Sequence, residues 1–164
     1  MLPVDVLILT DAQGHGNALW ASQSGFLALV LATAEQTLAG TVRLALESVA
    51  TTSDPEGYRM EQWEVLRRYR HLRVPGRLLL VVSGPDTQET AGFSYTIRST
   101  TPYVVLRARE QSLAAVADTA AILVHELGHN LGLTHDGVVH ADNYHALPAG
   151  REALRAWLTG EVLS

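Results

Sequence analysis

Hydrophobic and polar residues recur along the chain with two different periods, and these periods predict a sheet layered with helices. Residues 4–10 are apolar and mostly β-branched or aliphatic apart from Asp5, which indicates a buried strand. Apolar residues three and four apart predict a helix over residues 24–38, ending near Gly40. A mostly alternating pattern over residues 41–52 predicts a second strand.

A second helix is predicted over residues 58–72, where Trp63, Leu66 and Tyr69 lie along one side. Pro75 and the glycine after it end this helix. Large aromatic side chains at helical spacing usually belong to a core. We therefore expect all three tryptophans to be buried: Trp20, Trp63 and Trp157.

Three further strands are predicted in the middle of the chain. Leu78–Ser83 begins with five consecutive large aliphatic residues, as in a strand buried on both faces. Residues 93–98 and Tyr103–Arg107 form two shorter strands, one of which is expected at a sheet edge. The alternation of strands and helices predicts an α/β fold with a mixed sheet, followed by a final helical segment.

Composition narrows the class of protein. The chain has 164 residues, of which 47% are hydrophobic and 18% charged, as expected of one globular domain. Its formal net charge is −5 and its 12 basic residues are all arginine, which argues against a nucleic-acid-binding face. No apolar run approaches the roughly 18 residues that a membrane span requires. We therefore expect a monomer that binds neither nucleic acid nor membrane.

The absence of cysteine limits both chemistry and location. Without cysteine there is no disulfide, thiolate ligand or thiol nucleophile, so any metal must be held by His, Asp or Glu. The first residues lack a basic start and meet an aspartate at position 5, unlike a signal peptide. At face value this predicts a cytoplasmic protein, with secretion as the alternative.

The clearest helical pattern begins at Leu113. His125 and His129 lie four residues apart beside its apolar stripe, so both imidazoles project from one side and can share a metal ion. Gly132 favours a left-handed helix end, after which the chain can return His135 as a third ligand. Three neutral imidazoles and a water make the open tetrahedral zinc site of hydrolytic enzymes. The stripe comprises Leu113, Val116, Ala120, Val124, Leu127 and Leu131.

Residues 125–136 read HELGHNLGLTHD. This string resembles the extended zinc signature of the metzincin metallopeptidases, and in particular that of the adamalysin or reprolysin branch. The resemblance implies a role for six of these residues. They are the zinc ligands His125, His129 and His135, the general base Glu126, the turn glycine Gly132, and Asp136, the family's residue after the third ligand.

The order of the elements is similar to that of the metzincin catalytic domain over essentially the whole chain. The resemblance implies an α/β (α+β) zincin-like fold, with a twisted, mostly parallel sheet, an antiparallel edge strand, an active-site helix and a C-terminal helix. It implies one catalytic domain, divided into an N-terminal subdomain of residues 1–132 and a small C-terminal subdomain of residues 133–164. Residues 93–98 match the edge strand along which family members align an extended peptide substrate.

Metzincins carry a methionine turn beneath the zinc, but this chain has methionine only at positions 1 and 60. Ala146 or Leu147, followed by Pro148, stands where the family has that turn, and another apolar residue can fill the same space. These residues are also expected to shape the primed-side substrate pocket, with a preference for an apolar side chain. The sequence leaves open whether His140 and His145 support the zinc ligands, replace one of them or lie on the surface.

The motif and the resemblance together predict a zinc-dependent metalloendopeptidase with one catalytic zinc ion. Zinc lowers the pKa of its bound water toward about 7, and Glu126 accepts the proton as the water attacks a peptide carbonyl. Two alternatives are an inactive zinc-binding module that recognises peptides and a zinc hydrolase of small amides. Calcium binding and the substrate sequence are left open.

Overall fold

The structure, a computed structural model, describes residues 1–14, 24–38, 43–84, 92–94, 101–107 and 113–130. Its strands are β1 (Leu2–Thr10), β2 (Leu44–Ser53), β3 (Leu78–Ser83), β4 (Gly92–Ser94) and β5 (Tyr103–Arg107). Its helices are α1 (Ser24–Thr37), α2 (Pro55–Arg59), α3 (Gln62–Tyr69) and α4 (Leu113–Asn130), with a 3₁₀ turn at Arg70–Leu72. The predicted C-terminal subdomain, residues 95–98 of the predicted edge strand, Trp20 and Trp157 lie outside the described residues.

The five strands form one sheet in the order β2-β1-β3-β5-β4. Neighbouring strands run parallel from β2 to β5, whereas β4 pairs antiparallel with β5. All six residues of β3 are buried, because this strand is central and both of its faces are covered. The predicted α/β class, with a mostly parallel sheet and an antiparallel edge strand, is confirmed. No helix among the described residues is long and apolar enough to cross a bilayer.

Helices cover both faces of the sheet. On one face, α1 and α4 pack on alternate residues of the strands in a core that includes Val6, Leu80 and Leu127. On the other face, α3 packs through Val65 and Leu66 on the residues between them. The connections from β1 to β2 and from β2 to β3 run in opposite directions, so two right-handed crossovers place their helices on opposite faces.

The predicted helix over residues 58–72 is two helices. The first, α2, begins at Pro55 because Asp54 caps it and proline suits the first helical position. Met60 is extended, with φ −67° and ψ 157°, and ends it. The prediction that Trp63 is buried was wrong: its side chain is 42% exposed. Helix α3 starts afresh at Gln62 and buries Gln62, Val65 and Leu66 instead.

Asp54 joins α2 to α3. Its carboxylate accepts hydrogen bonds from the Gly57 amide at 3.1 Å, from the Arg68 Nε and Nη2 at 2.8 and 3.0 Å, and from the Tyr69 hydroxyl. Burial alone raises the pKa of Asp54, but the hydrogen bonds from Tyr69, Gly57 and Arg68 outweigh it and hold that pKa below its ordinary value. Burial, reinforced by the bond to the carboxylate, raises the pKa of Tyr69 to about 12.

Asp5, the one charged residue in the first strand, is also paired. Arg77 donates to its carboxylate from Nε at 2.8 Å and from Nη2 at 2.9 Å, and Ser48 donates at 2.7 Å. Hydrogen bonding and charge from Arg77 lower the pKa of Asp5 against the effect of burial. The pairing lies beside the irregularity between β1 and β2, where Glu47 is left out of the register.

Candidate metal centre

Helix α4 carries two of the three predicted zinc ligands, His125 and His129, together with Glu126. Its apolar residues Val116, Val124 and Leu127 are buried in the core that α1 and the sheet share, as the spacing of the stripe predicts. This packing fixes the rotation of the helix about its axis. The turn that contains His125 and His129 is thereby held at the C-terminal end of a helix anchored over its whole length.

The two histidines face one another across one turn of α4. Their Nε2 atoms are 3.1 Å apart, and their rings meet nearly edge to face, with centroids 4.8 Å apart and planes at 83°. His129 is buried, with 6% of its surface exposed, and His125 is half-buried. Both Nε2 atoms therefore converge on one point.

Glu126 completes the cluster. Its side chain is 7% exposed, and its carboxylate and the two imidazoles offer ligand atoms that all lie within 4.8 Å of one another. A buried carboxylate is costly unless it is hydrogen-bonded or neutralised by a cation. Within the described residues, this is the group of histidines and acids whose geometry could hold a metal ion.

The donor set fits zinc. Two nitrogen ligands at about 2.0–2.1 Å from a tetrahedral zinc ion lie about 3.3 Å apart, close to the 3.1 Å that separates the two Nε2 atoms. Neutral imidazole is a common zinc ligand, and each ring presents one lone pair. A carboxylate oxygen of Glu126 lies within 4.8 Å of a ring nitrogen of each histidine. These residues therefore fit two ligands and an adjacent base.

The structure places the site at the amino end of β5. Asn130, the last residue of α4, bonds through its side chain to the backbone of Tyr103, the first residue of β5. Parallel α/β sheets usually bind ligands beyond the carboxyl ends of their strands. The histidine pair therefore lies at the opposite end of β5 from the one that strand topology alone would suggest.

Sequence reasoning missed Asn130. Its position directly after His129 is visible in the sequence, but nothing local indicates that Tyr103, 27 positions earlier, is its partner. The other predicted site residues lie outside the described residues, and their roles stay predictions. They are Gly132, His135, Asp136, Ala146, Leu147 and Pro148, together with His140 and His145.

Comparison with known proteins locates the fold. No protein-family model matches the sequence, and no curated protein matches it by sequence. The structure is similar to that of an archaemetzincin from Methanopyrus kandleri, with a TM-score of 0.55 and 12% identity over 80% of this chain and 74% of that chain. It also matches metalloproteinase-II from Bacteroides fragilis, with a TM-score of 0.47 and 13% identity over 80% of this chain and 42% of that chain. The first likeness establishes the zincin-like α/β fold.

Proposed function

We propose that this chain is a zinc-dependent metalloendopeptidase. The observation that carries the proposal is the convergence of the His125 and His129 Nε2 atoms, 3.1 Å apart, with the buried carboxylate of Glu126 beside them. The zincin-like fold supports it as well. So does the position of the histidine pair on a helix, as the motif predicts. We further propose His135 as the third ligand and the adamalysin type of signature, both on the sequence motif alone.

The residues divide the work between holding the metal and moving a proton. His125 and His129 would hold the ion through their Nε2 atoms. When bound, zinc supplies a Lewis acid that lowers the pKa of a water toward about 7 and polarises the scissile carbonyl. Glu126 accepts a proton from the attacking water and returns it to the leaving amine. Its burial favours this role, since a carboxylate shielded from bulk water does not exchange its proton with solvent during the reaction.

We propose that the substrate lies extended along β4. Among the described strands, β4 is the last of the sheet on the side of β5. An extended peptide can add to such an edge through main-chain hydrogen bonds, and side-chain pockets then select the sequence. The helix that bears Glu126 contacts β4, so a peptide on the strand's outer edge would pass close to the histidine pair.

The test is cleavage of a denatured-protein peptide digest, followed by mass spectrometry, with the zinc-loaded protein and its Glu126→Ala variant. We expect the unmutated protein to cleave the peptides and Glu126→Ala to cleave them at least about a hundredfold more slowly. Both proteins should bind one zinc ion per chain. Glu56→Ala, which alters an exposed carboxylate, is the matched control and should cleave normally.

Each other outcome would refute one part of the proposal or favour one of the alternatives. Equal cleavage by Glu126→Ala would refute Glu126 as the base. Zinc binding without cleavage would point to the peptide-recognition module, and cleavage of small amides alone would point to the amide hydrolase. Failure of the unmutated protein to bind zinc would refute the metal centre itself.

A further inference from the structure

Asn130 is a buried amide whose every hydrogen-bonding group has a partner. Its Oδ1 accepts from the Tyr103 amide at 3.2 Å. Its Nδ2 donates to the Tyr103 carbonyl at 3.4 Å and to the Glu126 carbonyl at 3.1 Å. An asparagine side chain offers one carbonyl and two N–H donors, so all are used. With 4% of its surface exposed, Asn130 exchanges none of these bonds readily with water.

The side-chain amide of Asn130 pairs with the backbone of β5 as a neighbouring strand would. The described part of β4 ends at Ser94, which pairs with Val104. The Pro102 carbonyl accepts from Leu79 of β3, and successive residues of a strand direct their backbone groups to opposite neighbours. Tyr103 therefore directs its N–H and C=O to the side of β4, where the Asn130 amide receives both.

Tyr103 is itself anchored from the other face of the sheet. Its side chain is fully buried, and its hydroxyl donates to the Val65 carbonyl of α3 at 3.1 Å. Pairing with β3 fixes the backbone of Tyr103, and the hydroxyl adds stability on the other face without touching the backbone groups that Asn130 binds. Asn130 connects the last turn of α4 to this backbone.

We propose that Asn130 is a positioning residue for the metal centre. The hydrogen bonds of Asn130 cross-link α4 to the first residue of β5. By bonding the Glu126 carbonyl and Tyr103 together, Asn130 holds the turn that contains His125, Glu126 and His129 at one distance from β5. Metal binding depends on ligands held close to their ideal distances, so a loosened turn weakens it. This inference rests on the proposed zinc-binding function.

The test compares Asn130→Ala with Tyr103→Phe. Asn130→Ala loses the hydrogen bonds to Tyr103 and Glu126, whereas Tyr103→Phe loses the one from its hydroxyl to Val65, so both variants should unfold at lower denaturant concentration. Only Asn130→Ala frees the last turn of α4, because Tyr103→Phe keeps the backbone groups that Asn130 binds. We expect zinc affinity, measured by competition with a chromogenic chelator, to fall at least about tenfold in Asn130→Ala and to stay unchanged in Tyr103→Phe. The absorption spectrum of bound Co²⁺ should change only in Asn130→Ala.

A second variant keeps the test valid if Asn130→Ala does not fold. Asn130→Ser can still donate to the Glu126 carbonyl one turn back but is too short to reach Tyr103, so it should fold and still lose zinc affinity. Unchanged affinity and an unchanged Co²⁺ spectrum in either folded variant would overturn the inference while leaving the proposed function intact. Failure of the unmutated chain to bind either metal would instead refute the proposed function, and this inference with it.

Discussion

Two polar clusters lie on opposite faces of the same sheet, and they differ in what surrounds their charges. Around Asp54, one carboxylate is met by an amide, a guanidinium and a hydroxyl, all of them donors. Around His125, Glu126 and His129, two imidazole nitrogens and a carboxylate come together at one point. The first cluster pairs one carboxylate with donors, whereas the second brings together three groups that can each supply a ligand atom to one cation.

Because of this difference, we expect the Asp54 cluster to contribute to stability and the histidine cluster to metal binding. Hydrogen bonds to Asp54 contribute to folding in any solution in which the carboxylate is ionised. The histidine cluster contributes fully only with a metal, because binding to the folded state alone stabilises that state by mass action. Substitutions in the first cluster should therefore change the free energy of unfolding, and those in the second should change metal affinity.

The largest expected effect is that of His129→Ala. Removing one of the two converging Nε2 atoms should weaken zinc binding by more than about a hundredfold. Substituting a residue that only hydrogen-bonds to a ligand usually costs less than that. Zinc at about 100 times its Kd should stabilise the unmutated protein by about 2.7 kcal/mol and leave the variant unaffected, as thermal unfolding would show. His71→Ala, at an exposed histidine, should bind zinc normally. Stoichiometric zinc in His129→Ala would contradict the assignment.

Asp54→Ala should lower stability and leave zinc binding unchanged. It removes the cap of α2 and the charged acceptor of Arg68 and Tyr69, so the free energy of unfolding should fall by about 2 kcal/mol. Urea unfolding would measure this loss, and zinc affinity at low temperature should not change. Glu56→Ala, whose carboxylate contacts Arg68 only at 3.9 Å on the surface, should change stability by less than about 0.5 kcal/mol. A similar loss in both variants would mean that surface charge, not the cluster, carries the effect.

Tyr69→Phe should have a smaller effect with a distinctive pH dependence. At neutral pH it loses one hydrogen bond to Asp54, worth about 1 kcal/mol. The pKa of Tyr69 is raised to about 12 in the fold, so its stabilising contribution is complete below about pH 10 and is lost as the pH rises toward 12. The stability gap between the two proteins, from urea unfolding at several pH values, should narrow over that range. A constant gap would show that the hydroxyl ionises equally in both states.

The smallest effect is expected for Thr119→Val on α4 itself. Thr119 is 4% exposed, and its hydroxyl has no hydrogen-bond partner within the described residues. Valine has the same shape without the buried polar atom, so stability should stay within about 1 kcal/mol or rise, with zinc affinity unchanged. Chemical denaturation and chelator competition would check both. A clear loss of either would show that α4 positions the histidines through Thr119 as well.

Much of the fold and of the metal centre follows from local patterns. The spacing of apolar residues along residues 113–131 predicts α4, and a helix brings His125 and His129 to one side wherever it lies. The aliphatic run of β3 likewise predicts a strand covered on both faces, as found. The sequence could therefore determine these features by itself, since helical period and strand hydrophobicity depend only on neighbouring residues.

Only the tertiary structure decided which distant residues meet. The break at Met60 divides the predicted helix in two, and Asp54, which caps α2, binds Arg68 and Tyr69 of α3. Trp63 of α3 is exposed. The pairing of Asn130 with Tyr103 depends on the strand order, which places β5 beside the end of α4. These contacts join residues 14 to 27 positions apart, and such partners are chosen by the packing of whole layers rather than by any local pattern.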